Sequence, residues 1–122
     1  MFSPIIKHSV QNLNSVEQVL CTSKKYLSSL PKIKSLKELI SSAELVDFRD
    51  DFSLMLPWIK KYVPSLSASI KHRQPDVVIE DYRGIRNYLV SGRGLSVLPK
   101  TIIEEDLQKK KLEIPFKKNM AN

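Results

Sequence analysis

The sequence has little glycine and almost no cysteine. Three of the 122 residues are glycine, and Cys21 is the single cysteine. One cysteine cannot form a disulfide within the chain, and its place in the apolar run VEQVLCT predicts a buried, inert thiol. No apolar run approaches the ~18 residues that a membrane-spanning helix needs, and the N-terminus has no basic head before a long apolar segment. We therefore predict a cytoplasmic protein that is neither exported nor inserted into a membrane.

Patterns typical of catalysis or metal binding are also missing. The chain has two histidines, His8 and His72, which lie far apart in the sequence. No cysteine, serine or acidic residue is spaced with either histidine to suggest a catalytic triad or a metal site. We predict two surface histidines, no metal or other cofactor, and no enzymatic activity.

The composition indicates an ordinary globular domain with a basic surface. Hydrophobic residues make up 42% and charged residues 27%, which predicts one domain over residues 1–122 with irregular ends at 1–15 and 117–122. The net charge of +7 raises the question of nucleic acid binding, but the excess is mostly lysine, without the interleaved arginine and aromatics typical of such surfaces. We favour a solvated basic face. The lysines concerned are Lys24, Lys25, Lys60, Lys61, Lys109, Lys110, Lys111, Lys117 and Lys118.

Short apolar runs alternate with amphipathic segments along the chain. The runs predict strands at 16–22, 44–48, 66–73, 76–81, 95–99 and 112–116, and residues 24–34 read as a loop. The amphipathic segments predict helices at 35–43, 49–63, 82–92 and 101–111. This alternation predicts an α/β fold with three layers, in which a mostly parallel sheet carries helices on both faces.

Several helix boundaries have specific signals. Ser35 and Glu38, and again Thr101 and Glu104, have the spacing of a capping box. Asp81 is placed to cap the helix at 82–92. Pro57 lies in the middle of the predicted helix at 49–63, where it must kink the helix or separate its first turn from the rest.

The three glycines lie close together between residues 84 and 94. Gly92 is placed to end a helix in the left-handed conformation. Gly94 then allows the chain to reverse into the strand at 95–99, which Pro99 ends. We predict a tight turn with Arg93 pointing outward between the two glycines.

The order of these segments resembles a known family. A helix with Val90, Gly92 and Gly94 at its end, a strand ending in Leu98 and Pro99, and a helix followed by Leu112 are similar to the C-terminal part of the effector-binding domain of LysR-type transcriptional regulators. The paired Leu36 and Leu39, and Leu107, fall in family order as well. The resemblance covers roughly residues 16–116 and implies one lobe of a type 2 periplasmic-binding-protein-like fold. The sequence has no helix-turn-helix pattern and no first subdomain, so it looks like the second effector subdomain alone.

The resemblance implies where a ligand would bind. In that family a small effector, here expected to be a small organic acid, lies between two subdomains beside strand ends and helix N-termini. The matching positions are the loop 48–53 and the segment 80–84, where Arg49 and Ser53 could hold a carboxylate. Asp50 and Asp51 would repel an acid and are more readily explained as helix caps. Gly84 fits close approach of a ligand and packing against a strand equally well. The candidate ligand-binding residues are Arg49, Asp50, Phe52, Ser53, Asp81, Tyr82 and Gly84.

The leading functional hypothesis is a non-catalytic, ligand-sensing module of a LysR-type regulator. The alternative is a stand-alone α/β module that binds a protein partner or a full-length regulator, and a basic nucleic-acid-binding protein is the outlier. We predict no membrane association and no sequence-specific DNA binding. We also predict a homodimer with Trp58 partly shielded by the second chain, since the apolar residues of one helix are too numerous for a single buried stripe. Those residues are Leu54, Met55, Trp58 and Ile59.

Overall fold

The computed structural model describes residues 16–117. Its strands are β1 (Gln18–Thr22), β2 (Val46–Asp47), β3 (Val77–Val78) and β4 (Leu95–Pro99). Its helices are α1 (Lys24–Ser29), α2 (Leu36–Ser42), α3 (Met55–Tyr62), α4 (Ser67–Lys71), α5 (Tyr82–Val90) and α6 (Lys100–Gln108), with a 3₁₀ turn at Pro64–Leu66. The predictions for His8, Lys118 and nearly all of the irregular ends lie outside the described residues.

The strands form two pairs that lie side by side. β1 pairs with β4 in antiparallel fashion, and β2 pairs with β3 in parallel fashion. A parallel bridge between Leu45 and Leu95 links the two pairs, and an antiparallel bridge joins Thr22 to Glu113. The mixed α/β class is confirmed, but the mostly parallel sheet is not, because the longer pair is antiparallel. An apolar run has the same pattern in either direction, so its pairing direction could not be deduced from the sequence.

Helices cover both faces of the β1–β4 pair. Leu20, Leu95 and Val97 pack in one buried cluster with residues of α2, α3 and α4. Cys21 and Leu98 pack in a second cluster with residues of α5 and α6. Because successive residues of a strand point to opposite faces, the two clusters lie on opposite sides of the pair. The buried state of Cys21 is as predicted, and burial raises the pKa of its thiol.

Three segments have a structure that differs from the prediction. Residues 112–116 are not a strand and contribute only the isolated bridge at Glu113. Residues 24–34 begin with a helix, because the Ser23 hydroxyl accepts a hydrogen bond from the Tyr26 nitrogen and caps α1. Residues 66–73 form helix α4 and its C-terminal end instead of a strand. Leu66 and Ile70 are four apart and face the same cluster, which is a helical spacing. The exposed His72 therefore follows a helix and not a strand.

The predicted helix caps are confirmed in part. The Ser35 hydroxyl accepts from the Glu38 nitrogen at 3.1 Å, and the Asp81 carboxylate accepts from two nitrogens of the first turn of α5. The Thr101 capping box is wrong, since α6 begins at Lys100 and has no side-chain cap. Pro57 lies in the first turn of α3, where its missing N–H group leaves no hydrogen bond unmade. The helix predicted from residue 49 therefore begins at residue 55.

The glycine turn is confirmed. Gly92 has φ +102° and Gly94 has φ +82°, both in the region that favours glycine. A Cβ atom at Gly94 would lie 2.6 Å from Cγ2 of Val46 and 3.1 Å from the Tyr88 ring. Close packing, rather than a ligand, therefore accounts for this glycine. Arg93 points outward as predicted and forms an ion pair at 3.0 Å with Glu44.

The apolar residues proposed for a dimer interface are mostly buried within the chain. Met55 and Ile59 are fully buried, and Trp58 is 4% exposed without a partner. The Trp58 ring packs against Tyr62 with 4.8 Å between ring centroids. The prediction that a second chain shields Trp58 is therefore wrong, because the core of the same chain already covers it. The homodimer itself stays a prediction.

Candidate functional site

The carboxyl ends of three strands meet at one edge of the fold. β2 runs parallel to β3, the Leu45–Leu95 bridge is parallel, and Gln18 at the start of β1 lies opposite Pro99 at the end of β4. The helices that follow these strands therefore begin at this edge, which is where open α/β sheets place their ligands. We call it the C-terminal edge and define it by residues 47–55, 79–84 and 99–101.

The C-terminal edge brings together parts of the two predicted ligand loops. Nη1 of Arg49 lies 3.5 Å from Oε2 of Glu80, and the Arg49 guanidinium lies 5.3 Å from the centre of the Phe48 ring. The rings of Phe48 and Tyr82 pack with 5.2 Å between centroids. Arg49 and Glu80 are 57% and 65% exposed, so a ligand can reach both. The sequence analysis singled out Arg49 and Tyr82. Phe48 and Glu80, which connect them, lie in the two predicted segments but were not among the candidate residues.

Asp47 is a buried carboxylate that the sequence analysis did not identify. Its Oδ1 accepts hydrogen bonds from the backbone nitrogens of Phe48 at 2.7 Å and Leu54 at 3.0 Å, and its Oδ2 accepts from Met55 at 2.9 Å. The Ser53 hydroxyl donates to it at 3.4 Å. Asp47 thus accepts hydrogen bonds from the backbone nitrogens at the N-terminus of α3. The sequence analysis assigned this capping role to Asp50 and Asp51. The available signal was an acidic residue inside the apolar run ELVDF.

The remaining residues of loop 48–53 are separated by this arrangement. Asp50 and Asp51 are exposed and line an open depression of about 470 Å³ together with Arg73. Phe52 has φ +58° and a side chain only 1% exposed, in the core. The loop therefore presents Arg49 to solvent at one end and anchors Phe52 at the other.

The segment 80–84 is explained by capping and packing. The Asp81 carboxylate accepts hydrogen bonds from the nitrogens of Arg83 at 3.3 Å and Gly84 at 3.1 Å. A Cβ atom at Gly84 would lie 2.7 Å from Cγ2 of Ile79, so packing against the strand segment is sufficient reason for the glycine. An acidic side chain of the protein thus occupies the N-terminus of α5, as Asp47 occupies that of α3.

The N-terminus of α6 differs from the other two. Its N-cap residue is Pro99, which makes no side-chain hydrogen bond to the helix. The Lys100 nitrogen donates to the Glu17 carbonyl at 2.8 Å, and the Lys100 ammonium lies 3.8 Å from the Glu17 carboxylate. Of the three helix N-termini at the C-terminal edge, only that of α6 carries a cationic side chain and no carboxylate cap.

An ion pair between the buried Asp106 and the partly exposed Arg86 fixes α5 against α6. The Arg86 guanidinium donates two hydrogen bonds to Asp106, from Nε at 2.8 Å and from Nη2 at 2.6 Å. These bonds lower the pKa of the Asp106 carboxyl below its ordinary value. The pair holds the two helices in fixed positions relative to each other, and both begin at the C-terminal edge.

Residues 16–117 contain neither a metal-ligand cluster nor a membrane-spanning helix. No group of three histidine, cysteine, aspartate or glutamate residues in this range is arranged to hold a metal ion. No helix in the same range is both long and apolar enough to cross a membrane.

The fold is similar to that of LysR-type regulatory domains. No model of a protein family and no curated protein sequence matches the chain. Among solved structures, the CrgA regulatory domain, a LysR-type transcriptional regulator from Neisseria meningitidis, superimposes with a TM-score of 0.61 and 17% identity over 88% of this chain and 50% of that chain. In the structure of CrgA, the match covers 88% of this chain and 35% of that chain at the same TM-score.

A second protein shows the same similarity. The C-terminal domains of a LysR family protein from Agrobacterium tumefaciens str. C58 match with a TM-score of 0.57 and 14% identity, over 81% of this chain and 45% of that chain. The predicted resemblance is thus confirmed as a likeness of fold. The chain spans half or less of each of these proteins.

Proposed function

We propose that the chain is a non-catalytic, ligand-sensing lobe of a LysR-type transcriptional regulator. The observation that carries the proposal is the exposed cluster of Arg49, Glu80, Phe48 and Tyr82 at the C-terminal edge, in a fold similar to part of a LysR regulatory domain. In this proposal DNA binding belongs to another part of the regulator, and residues 16–117 make no sequence-specific DNA contact. A module of this kind works in the cytoplasm, the compartment that the sequence predicts.

The proposed ligand is a small organic acid with an apolar or aromatic part. The Arg49 guanidinium can exchange Glu80 for the ligand carboxylate, because an exposed ion pair contributes only ~0–1 kcal/mol. The Phe48 and Tyr82 rings then provide a surface for the apolar part. Asp47 and Asp81 disfavour an anion at the N-termini of α3 and α5, so the N-terminus of α6 beside Lys100 is the second favourable place for negative charge.

The proposal can be tested by NMR titration of the full chain with a panel of small aromatic and aliphatic carboxylates. We expect the amide signals of Phe48, Arg49 and Tyr82 to shift in a saturable manner. Arg49→Gln should remove the response, while the control Lys37→Gln, which removes one positive charge from an exposed position of α2 outside the C-terminal edge, should leave it intact. Shifts confined to other surfaces, or equal loss in both variants, would contradict the proposal.

A second proposal concerns the protein partners of the chain. Val78 on β3 is 45% exposed, and β3 pairs on only one side among residues 16–117. An apolar side chain on an open strand edge favours pairing with another strand. We propose that this edge joins two copies of the chain in a homodimer, or joins the chain to a full-length regulator, as the resemblance implies.

A further inference from the structure

A basic depression lies outside the C-terminal edge. Its volume is about 340 Å³, and it lies between α1, the C-terminal end of α6 and the segment 112–117. We call it the lysine groove and define it by the cationic side chains of Lys24, Lys110 and Lys117 and the apolar side chains of Leu107, Leu112 and Ile114. None of these residues belongs to the C-terminal edge.

The backbone around the lysine groove is held in place by hydrogen bonds. The nitrogens of Lys111 and Leu112 both donate to the Asp106 carbonyl, at 2.8 Å and 3.2 Å. Glu113 then exchanges two backbone hydrogen bonds with Thr22, at 2.8 Å and 3.1 Å. The path of the chain from α6 to the edge of β1 is therefore fixed, and so is the backbone that lines the groove.

The charge of the lysine groove is largely uncompensated. Nearby, Lys109 lies 2.8 Å from Glu105, and Lys100 lies 3.8 Å from Glu17. Within the described range the three groove lysines form no ion pair, and Glu113 is the one acidic residue that lines the groove. Three exposed ammonium groups around one carboxylate produce a local positive field that attracts an anionic partner.

The lining of the lysine groove distinguishes between kinds of anionic partner. Leu107 and Ile114 are half-buried, and Leu112 is buried. Aliphatic side chains favour an occupant with aliphatic side chains of its own. Proteins that bind single-stranded nucleic acid combine a basic groove with aromatic side chains on which bases stack, and the lining contains no aromatic side chain and no arginine. Free phosphate or another small ion would leave the apolar surface unused.

We propose that the lysine groove binds an acidic segment of another protein. Its carboxylates would contact Lys24, Lys110 and Lys117, and its aliphatic side chains would pack on Leu107 and Ile114. This surface shares no residue with the C-terminal edge, although Ile114 and Lys117 also line a neighbouring cavity with Lys100 of that edge. Part of the net charge of +7 would then serve to bind a protein partner.

The experiment uses the full chain and a short fluorescent peptide with the repeat Glu-Glu-Leu. We expect saturable binding by fluorescence anisotropy, with NMR shifts at Leu107, Leu112 and Ile114. The triple variant Lys24→Gln, Lys110→Gln, Lys117→Gln should weaken binding about tenfold. The matched control Lys32→Gln, Lys34→Gln, Lys37→Gln removes the same charge from another exposed surface and should weaken it less than about twofold.

Two further probes separate the alternatives. A peptide with serine in place of leucine should bind clearly more weakly, and a single-stranded thymidine oligomer should cause no shifts at Leu107 or Ile114. The proposal is overturned by equal losses in the two triple variants, by equal binding of the serine peptide, or by an oligomer that displaces the Glu-Glu-Leu peptide from the groove.

Discussion

The Asp47 carboxylate lies 2.9 Å from the backbone nitrogen of Met55, so the last residue of β2 caps the helix that begins eight residues later. Together with the hydrogen bonds that Asp47 accepts from Phe48 and Leu54, this contact fixes the loop that carries Arg49. It also places a negative charge of the protein where an effector carboxylate could otherwise lie. The Asp47 carboxylate therefore determines the conformation of the loop. Only the exposed side chains of the loop remain available to bind a ligand.

Replacement of Asp47 by alanine should destabilise the fold by about 2–3 kcal/mol, because it leaves the buried nitrogen of Met55 and the partly buried nitrogen of Leu54 without an acceptor. Urea unfolding followed by circular dichroism measures the change. Asp50→Ala is the control, since Asp50 is exposed, and it should change stability by less than about 0.5 kcal/mol. An unchanged unfolding midpoint in Asp47→Ala would show that the cap contributes nothing.

Gly94→Val should destabilise the fold by roughly 2 kcal/mol or more. A β-branched residue is strained at φ +82°, and its Cβ would overlap Cγ2 of Val46, which is buried. Gly92→Ala is the comparison: its Cβ would meet only the flexible Lys25 chain at 2.9 Å, so its cost should be nearer ~1 kcal/mol. Equal denaturation midpoints for Gly94→Val and the wild type would refute the turn.

The Arg86–Asp106 pair should make stability depend on acid pH. The folded pKa of Asp106 is lowered, so its contribution is fully present above the unfolded value of about 3.9 and is lost as pH falls through the folded value. Asp106→Asn should cost about 2 kcal/mol or more at pH 7 and progressively less at low pH. Unfolding free energies measured from neutral pH to about 3 test this, and a constant difference would contradict it.

The features that the sequence predicted correctly are encoded within a few residues. The Ser35 and Asp81 caps each join a side chain to a nitrogen two or three residues away, and Gly92 and Gly94 are defined by their own backbone angles. Strand β4 was bounded correctly because Gly94 and Pro99 mark its two ends. Local chemistry was sufficient in each of these cases.

The features that were missed depend on partners distant in sequence. Glu80 lies 31 residues from Arg49, and Asp106 lies 20 residues from Arg86. No spacing rule connects such pairs, and the direction of β1 likewise depends on where the chain enters the sheet. The candidate site could thus be located to two loops from the sequence. Which side chains face solvent and which cap helices became clear only from the fold.

Arg49→Gln should remove carboxylate binding and leave the fold intact. The Arg49–Glu80 pair is well exposed, so its loss should alter the free energy of unfolding by less than about 1 kcal/mol. Calorimetry with the best carboxylate of the panel, alongside urea unfolding of the same variant, separates the two effects. Binding that survives in Arg49→Gln would exclude Arg49 as the carboxylate partner.

Association of the chain should proceed through the β3 edge and not through Trp58. Sedimentation equilibrium at moderate salt should show a species of twice the 14.0 kDa chain mass, with unchanged Trp58 fluorescence on dilution because that ring is already buried. Val78→Lys places a charge on the open strand edge and should shift the equilibrium to monomer. Ala68→Lys, at an exposed site on α4, adds the same charge elsewhere and should leave the dimer intact. A single species near 14.0 kDa for the wild type at high concentration would refute the dimer, because the net charge of +7 would then keep the copies apart.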